Sequence, residues 1–207
     1  MSKTICLAFT GASGMPYGIR LLECLLEAGC RVQLLYSQVA QVVAKQEMDL
    51  DLPGRAKEAE AHFRTEFAAQ MEKSGGTLDV YGREEWFAPV ASGSNPPDAM
   101  IVCPCTMGTL ASIAQGLADN LIGRAADVAL KEKRTLVLVP RETPFSAIHL
   151  ENMLRLAQAG AVILPPNPGF YHHPQSVQEM VDFVVARILD HVGVPHALMQ
   201  RWGAPEA

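Results

Sequence analysis

The sequence predicts an α/β fold: a three-layer sandwich with one parallel β-sheet covered by helices on both faces. Three observations predict it. Strand and helix patterns alternate along the chain, and that order suits parallel pairing through helical crossovers. Ile5-Cys6-Leu7-Ala8-Phe9, Ala99-Met100-Ile101-Val102-Cys103 and Leu136-Val137-Leu138-Val139 are continuous apolar runs, as expected of strands buried on both faces. The first of these runs enters Thr10-Gly11-Ala12-Ser13-Gly14 and then a helix. Such a strand–turn–helix junction is how α/β proteins hold a phosphate, because free helix N–H groups and the helix dipole favour an anion there.

The first helix spans 15–28, with Tyr17, Leu21, Leu22, Leu25 and Leu26 on or near one face. Gly11 and Gly14 let the backbone turn sharply, and Ser13 can cap the helix or face a ligand. A second strand over 32–36 ends at Ser37, and a helix runs through Val39, Val42 and Val43 towards Glu47. Residues 51–76 are charged and Ala-rich, with Phe63 and Phe67 at helical spacing. They read as a helical excursion with a solvated charged face. A short strand over 77–81 precedes a Ser/Gly/Pro-rich loop over 84–97 that contains Trp86. The strand over 99–103 leads through Pro104-Cys105-Thr106 into a helix carrying Leu110, Ile113 and Ala114. Helices over 124–133 and 148–159 flank the strand 136–139, and 161–164 is the last strand. Ser176 and Glu179 have capping-box spacing and open a helix with Val177, Val181, Val184 and Ile188 in one stripe. With no long polar linker and no internal repeat, 1–207 reads as a single domain.

Composition limits the function. The chain of 207 residues is 49% hydrophobic and 19% charged, below the usual charged share of about 25%. So apolar a chain is expected to bury surface between copies of itself as a homo-oligomer. A formal charge of −5 argues against broad nucleic-acid binding. No apolar run approaches the ~20 residues of a membrane span. No signal peptide is visible, and the five cysteines form no C-x-x-C pair, so the expected setting is a reducing cytoplasm. Cys6 and Cys103 read as core residues. Cys103-Pro104-Cys105 lacks a second ligand pair for a metal, and His172-His173 are adjacent side chains that diverge. His149 reads as structural. No metal site is expected.

In open parallel sheets, ligands bind beyond the carboxyl ends of the strands. On that rule, one edge collects Gly11, Ala12 and Ser13, then Ser37, then Cys105, Thr106 and Thr109, then Arg141 and Glu142, then Phe170, Tyr171 and His172. Hydroxyls, one Arg, one Glu and two aromatics suit a flat, phosphorylated ligand.

These residues resemble a known family. Thr10-Gly11-Ala12-Ser13-Gly14, Tyr17-Gly18-x-Arg20-Leu21-Leu22, Ala91-Ser92-Gly93-Ser94 and Pro104-Cys105-Thr106-x-x-Thr109-Leu110 match the flavin prenyltransferases of the UbiX type. So do Arg124-Ala125-Ala126-Asp127-Val128-x-Leu130-Lys131-Glu132, Val139-Pro140-Arg141-Glu142-Thr143-Pro144, Gly160-Ala161-Val162-Ile163-x-Pro165-Pro166 and Phe170-Tyr171-His172-x-Pro174-Gln175-Ser176.

The resemblance implies a Rossmann-like flavoprotein fold and a dodecamer. It also implies transfer of a dimethylallyl group from dimethylallyl phosphate to N5 and C6 of reduced FMN, with prenylated FMN passed to a UbiD-type decarboxylase. By motif, Gly11, Ala12, Ser13, Ser37, Thr106, Thr109 and Arg141 would bind FMN. Arg124, Lys131, Glu142, Tyr171 and Arg187 would hold the prenyl phosphate. Ser13 and Glu47 would handle protons near N5, and Trp86 would stack beside the prenyl group.

Bland alternatives stand beside several of these roles. Glu47 at a helix end also fits a carboxylate facing water. Arg187, Arg124 and Lys131 also fit surface charges, and Trp86 fits an interface anchor. The chain departs from the family at Thr106, where many members carry Ser, at Met15-Pro16, and in the longer 51–76 segment. Two other functions share the fold: an FMN-dependent cysteine-type decarboxylase and a non-catalytic FMN carrier. The first needs a His near the flavin, and neither 11–13 nor 37–47 contains one. The second has no use for Glu142, Lys131 or Tyr171.

Overall fold

The computed structural model describes residues 2–199 and 203. Six strands form one sheet: β1 (Thr4–Phe9), β2 (Arg31–Tyr36), β3 (Thr77–Val80), β4 (Ala99–Cys105), β5 (Thr135–Pro140) and β6 (Val162–Ile163). Their order is β3-β2-β1-β4-β5-β6, and every pair is parallel. The order reverses between β1 and β4, which makes their carboxyl ends the topological switch point.

The helices are α1 (Met15–Glu27), α2 (Gln38–Met48), α3 (Ala56–Glu66), α4 (Ala68–Ser74), α5 (Met107–Ala114), α6 (Leu121–Lys131), α7 (Ala147–Gln158) and α8 (Val177–Val192), with one 3-10 turn at Pro89–Ala91.

The central strands read as apolar runs because both of their faces are covered. Ile5, Leu7 and Phe9 pack into one layer with α1, α2, α3 and α8, and Cys6 and Ala8 pack into the other with α5, α6 and α7. All five are fully buried. Burial of a Leu or Phe side chain stabilises by about 1.5–3 kcal/mol, so the central strands anchor both layers. β4 keeps the same alternation until an irregularity between Val102 and Cys105. Cys103 then faces the α1 layer and Cys105 the α5 layer.

All five cysteines are free and buried. Burial pushes the thiols of Cys6, Cys24 and Cys105 up to about 12 and raises those of Cys30 and Cys103 as well. The thiolate is the reactive form. Iodoacetamide at pH 8 is therefore expected to leave the native chain's mass unchanged and to label all five thiols after denaturation. A native adduct would overturn the packing described for that cysteine.

Several local expectations are corrected. The 51–76 excursion is two helices that meet at Phe67, whose ring stacks on Phe63 at 6.2 Å. Its charges are not all solvated. Arg64 donates to Leu78 O at 2.7 Å, and Glu60 accepts from Val80 N at 3.0 Å. Both bonds satisfy backbone groups on the free edge of β3, which would otherwise invite another strand.

α6 starts earlier than expected because Asn120 caps it, accepting from the Ile122 and Gly123 N–H groups. β6 is only two residues long. Val177 is 76% exposed, so the buried stripe of α8 begins at Val181. Ser176 caps α8, but Glu179 reaches back to Gln175 N, one residue beyond the capping-box partner. His149 completes a capping box with Ser146 at the start of α7, in keeping with a structural role.

Candidate active site

The carboxyl ends of β1, β2, β4 and β5 bring together most of the expected flavin-binding residues. Gly14 stands at the start of α1 with φ of +119°, a conformation costly for any side chain but hydrogen. A Cβ on Gly11 would run into the Val39 side chain, so the turn lies tight against the first turn of α2. Ser37 caps α2 by accepting from Ala40 N at 3.2 Å. Thr106 caps α5 by accepting from Thr109 N at 3.0 Å, and its hydroxyl lies 2.9 Å from that of Thr109. Arg141, just past β5, points its Nε at Ser13 O, 3.4 Å away. Ser13, Ser37, Thr106, Thr109 and Arg141 thus lie at or just beyond the carboxyl ends of β1, β2, β4 and β5, and Ala12 is buried.

The anion at the start of α1 belongs to the chain itself. Glu47 Oε2 accepts from Gly14 N at 2.9 Å and from Met15 N at 2.8 Å, and Oε1 lies 3.1 Å from Gly14 N. This corrects the expectation that these N–H groups are free to face a phosphate, while Glu47 itself stays exposed to water. The carboxylate takes the helix dipole's favoured position.

Thr10 is a site residue that sequence reasoning missed. It is 1% exposed. Its hydroxyl donates to Pro104 O at 2.8 Å and accepts from Thr106 N at 2.8 Å, which stitches β1 to β4 at the switch point. Its place between an apolar run and a glycine was the one available signal. Thr10→Val keeps the shape and removes both bonds. Stranding the Thr106 N–H costs about 1–3 kcal/mol, so a lower denaturation midpoint is expected, with weaker flavin binding because Thr106 loses its anchor. An unchanged midpoint would show that the stitch contributes nothing.

The expected phosphate ligands fall into two further groups. Tyr171 and Arg187 line a cavity of about 760 Å³ with Leu164, Phe183 and Asp190. Arg187 bonds Asp190 at 2.8 Å. Glu142 lines an adjoining cavity with Arg141 and Phe145, and both cavities are walled by Pro165 and Asn167. Arg124 and Lys131 lie elsewhere, on α6 against the 89–94 loop. Arg124 donates to Ala91 O at 2.9 Å and pairs with Asp127 at 2.7 Å. Lys131 pairs with Glu132, and a Cβ on Gly93 would collide with both side chains. Trp86 is in the loop before β4, 46% exposed, next to a fully exposed Phe87. Among the described residues, no group of three or more His, Cys, Asp or Glu could hold a metal ion. No helix among them is long and apolar enough to cross a membrane.

This sheet order and its switch point are those of an α/β nucleotide-binding fold, and residues 1–189 match the family described as Flavoprotein. The chain is 55% identical over 201 residues to flavin prenyltransferase UbiX of Pseudomonas aeruginosa, covering 97% of this chain and 94% of that one. It superposes with a TM-score of 0.85 on AnUbiX in complex with FMN and dimethylallyl pyrophosphate, at 39% identity and complete coverage of both chains. A dodecameric FMN-dependent UbiX-like decarboxylase from Escherichia coli O157:H7 gives 0.83 at 40% identity, covering 97% of this chain and 100% of that one. The chain belongs to the flavoprotein family, in its branch of flavin prenyltransferases. The likeness to a PPC decarboxylase, at 17% identity and a TM-score of 0.53, shows the fold alone.

Proposed function

We propose that this chain transfers a dimethylallyl group from dimethylallyl phosphate to N5 and C6 of reduced FMN and hands the prenylated FMN to a UbiD-type decarboxylase. One observation carries the reading: Arg141, whose Nε faces Ser13 O, and Glu142 line one cavity, and that cavity adjoins the one lined by Tyr171 and Arg187 across Pro165 and Asn167. A flavin site and an anion site so joined suit a reaction between a flavin and an allylic phosphate.

The residues present fit FMN. Gly11 lets the turn after β1 sit tight against α2, hydroxyls stand at two helix starts, and Arg141 supplies positive charge. Reduced FMN supplies the nucleophile when bound. The allylic C–O bond breaks and phosphate leaves with the electron pair. Arg187 and Tyr171 hold that phosphate in the bound substrate and as it leaves, and Glu142 donates a proton to it. Trp86 offers an aromatic face to the allylic cation. Glu47, from α2, and Ser13, in the turn after β1, would take up the proton released as the bond to N5 forms and return one to the prenyl double bond, C6 giving up its proton as the ring closes.

Arg124 and Lys131 enter the site of a neighbouring copy in this reading. The exposed Ile148, Leu150 and Leu154 on α7 and Leu117 after α5 favour burial against such a copy. The expected assembly is a dodecamer. Inactive Lys131→Ala mixed with inactive Ser13→Ala, under conditions that exchange subunits, is expected to regain activity, because a shared site recovers an intact copy in a mixed oligomer. A fully active monomer would sink the shared site.

The reaction itself is tested by mass analysis of the flavin after incubation with reduced FMN and dimethylallyl phosphate. A prenylated product with released phosphate is expected, unaffected by chelators. Release of CO2 from a cysteinyl peptide, or unaltered FMN, would replace this reading by a decarboxylase or a carrier.

A further inference from the structure

Phe183 stands on α8 one turn before Arg187, and both side chains line the same cavity. The stretch 165–176 beyond β6, which carries Tyr171, contains no helix or strand. It turns at Phe170, where His173 N donates to Phe170 O at 3.0 Å, and His173 has φ of +54°. The rings hold this turn against α8. His172 stacks on Phe183 with centroids 5.2 Å apart and planes 5° from parallel. Tyr171 meets Phe183 edge-on at 5.8 Å. Gly169 closes the cluster from the loop side: a Cβ there would lie 2.8 Å from Tyr171 Cε1 and 3.0 Å from Phe183 Cζ. α8 is itself fixed to α1, because Arg20 donates to Asp182, the residue before Phe183, at 2.8 Å.

We infer that Phe183 is a positioning residue: by clamping the rings of Tyr171 and His172 to α8, it sets the distance between the Tyr171 hydroxyl and the Arg187 guanidinium, and with it the affinity for the allylic phosphate. The inference rests on the prenyl-transfer reading above. Aromatic pairs of this kind stabilise beyond the area they bury, which favours one loop position over its alternatives. Tyr171 and Arg187 come from an irregular segment and from a helix. The clamp makes them one rigid phosphate-binding unit, and displacing such a group by ~1 Å can cost up to about 10²-fold.

The test compares Phe183→Leu, Phe183→Tyr and Gly169→Ala with the wild type. Phe183→Leu is expected to raise KM for dimethylallyl phosphate at least about tenfold, with kcat within about threefold and FMN affinity unchanged. That split marks lost binding of the phosphate in ground and transition states alike. Phe183→Tyr keeps the ring and is expected to restore KM. Gly169→Ala removes no ring but pushes the same pair apart, so it should raise KM as well, and it keeps the test decisive if the Leu variant fails to fold. Hydrogen exchange over 165–176 should quicken in Phe183→Leu and Gly169→Ala and nowhere else. Wild-type KM in the Leu variant, or a parallel loss of FMN affinity and thermal stability, would overturn the clamp. A wild type that does not consume dimethylallyl phosphate, while hydrogen exchange still shows the loop loosened, would instead overturn the prenyl-transfer reading.

Discussion

Glu142→Gln is expected to lower turnover of dimethylallyl phosphate by about 10²–10⁴-fold, the usual contribution of a general acid or base, with FMN affinity almost unchanged. The substitution isolates the proton. Glu142 Oε1 accepts from Thr143 N at 3.2 Å, and a glutamine carbonyl can accept the same bond, so the side chain keeps its anchor. Arg141, the neighbour whose Nε faces Ser13 O, is untouched. The amide cannot protonate a departing phosphate, so the loss should appear in single-turnover rates measured at saturating substrate. Flavin titration should give the wild-type dissociation constant. A Glu142→Gln enzyme with wild-type single-turnover rates would remove Glu142 from the chemistry and leave it a wall of the cleft.

The range of the forces involved decides which features were legible in the sequence and which were hidden. β1, β4 and β5 were legible because burial on both faces forces continuous apolar runs, and the turn after β1 because only glycine relieves a φ of +119° at Gly14. Ser37, Thr106 and Arg141 were legible from their positions just beyond strands, since the parallel sheet alone places them on one edge.

Glu47 was legible as a helix end but not as the anion on α1. Its partners lie 32 and 33 residues away, and only the packing of α2 beside the Gly11 turn brings them together. Thr10 hid for the same reason, its partners being 94 and 96 residues distant. Glu60 and Arg64 looked like solvated charges because sequence does not show that β3 is an edge strand, and an edge has backbone groups for charges to satisfy. Arg124 and Lys131 were legible as a pair on one helical face. What they face within the chain depends on the 89–94 loop, which helical spacing does not dictate.

Gly18→Val is expected to destabilise the chain by about 3 kcal/mol or more, at the upper end of the usual cost of overpacking a core. Gly18 lies in the second turn of α1, where the helix crosses the sheet at the switch point. A Cβ there would lie 2.6 Å from Cys103 O and 2.9 Å from Phe9 Cε1. Neither neighbour can yield, because Phe9 and Cys103 are fully buried. Helix propensity pulls the other way: alanine in place of a helical glycine gains about 1 kcal/mol. Gly18→Ala therefore decides which effect wins. If close approach dominates, the Ala variant melts below the wild type and the Val variant lower still, by roughly 6–12 °C at the ~2–4 °C per kcal/mol of a domain this size. The site should suffer with the fold. Lifting α1 off β4 moves the Gly14 and Met15 N–H groups away from Glu47 and shifts the turn that carries Ser13. Flavin affinity should then fall in the same order as melting temperature. An Ala variant that melts above the wild type would show that α1 has room to retreat from the sheet and that its close approach to β4 is not required.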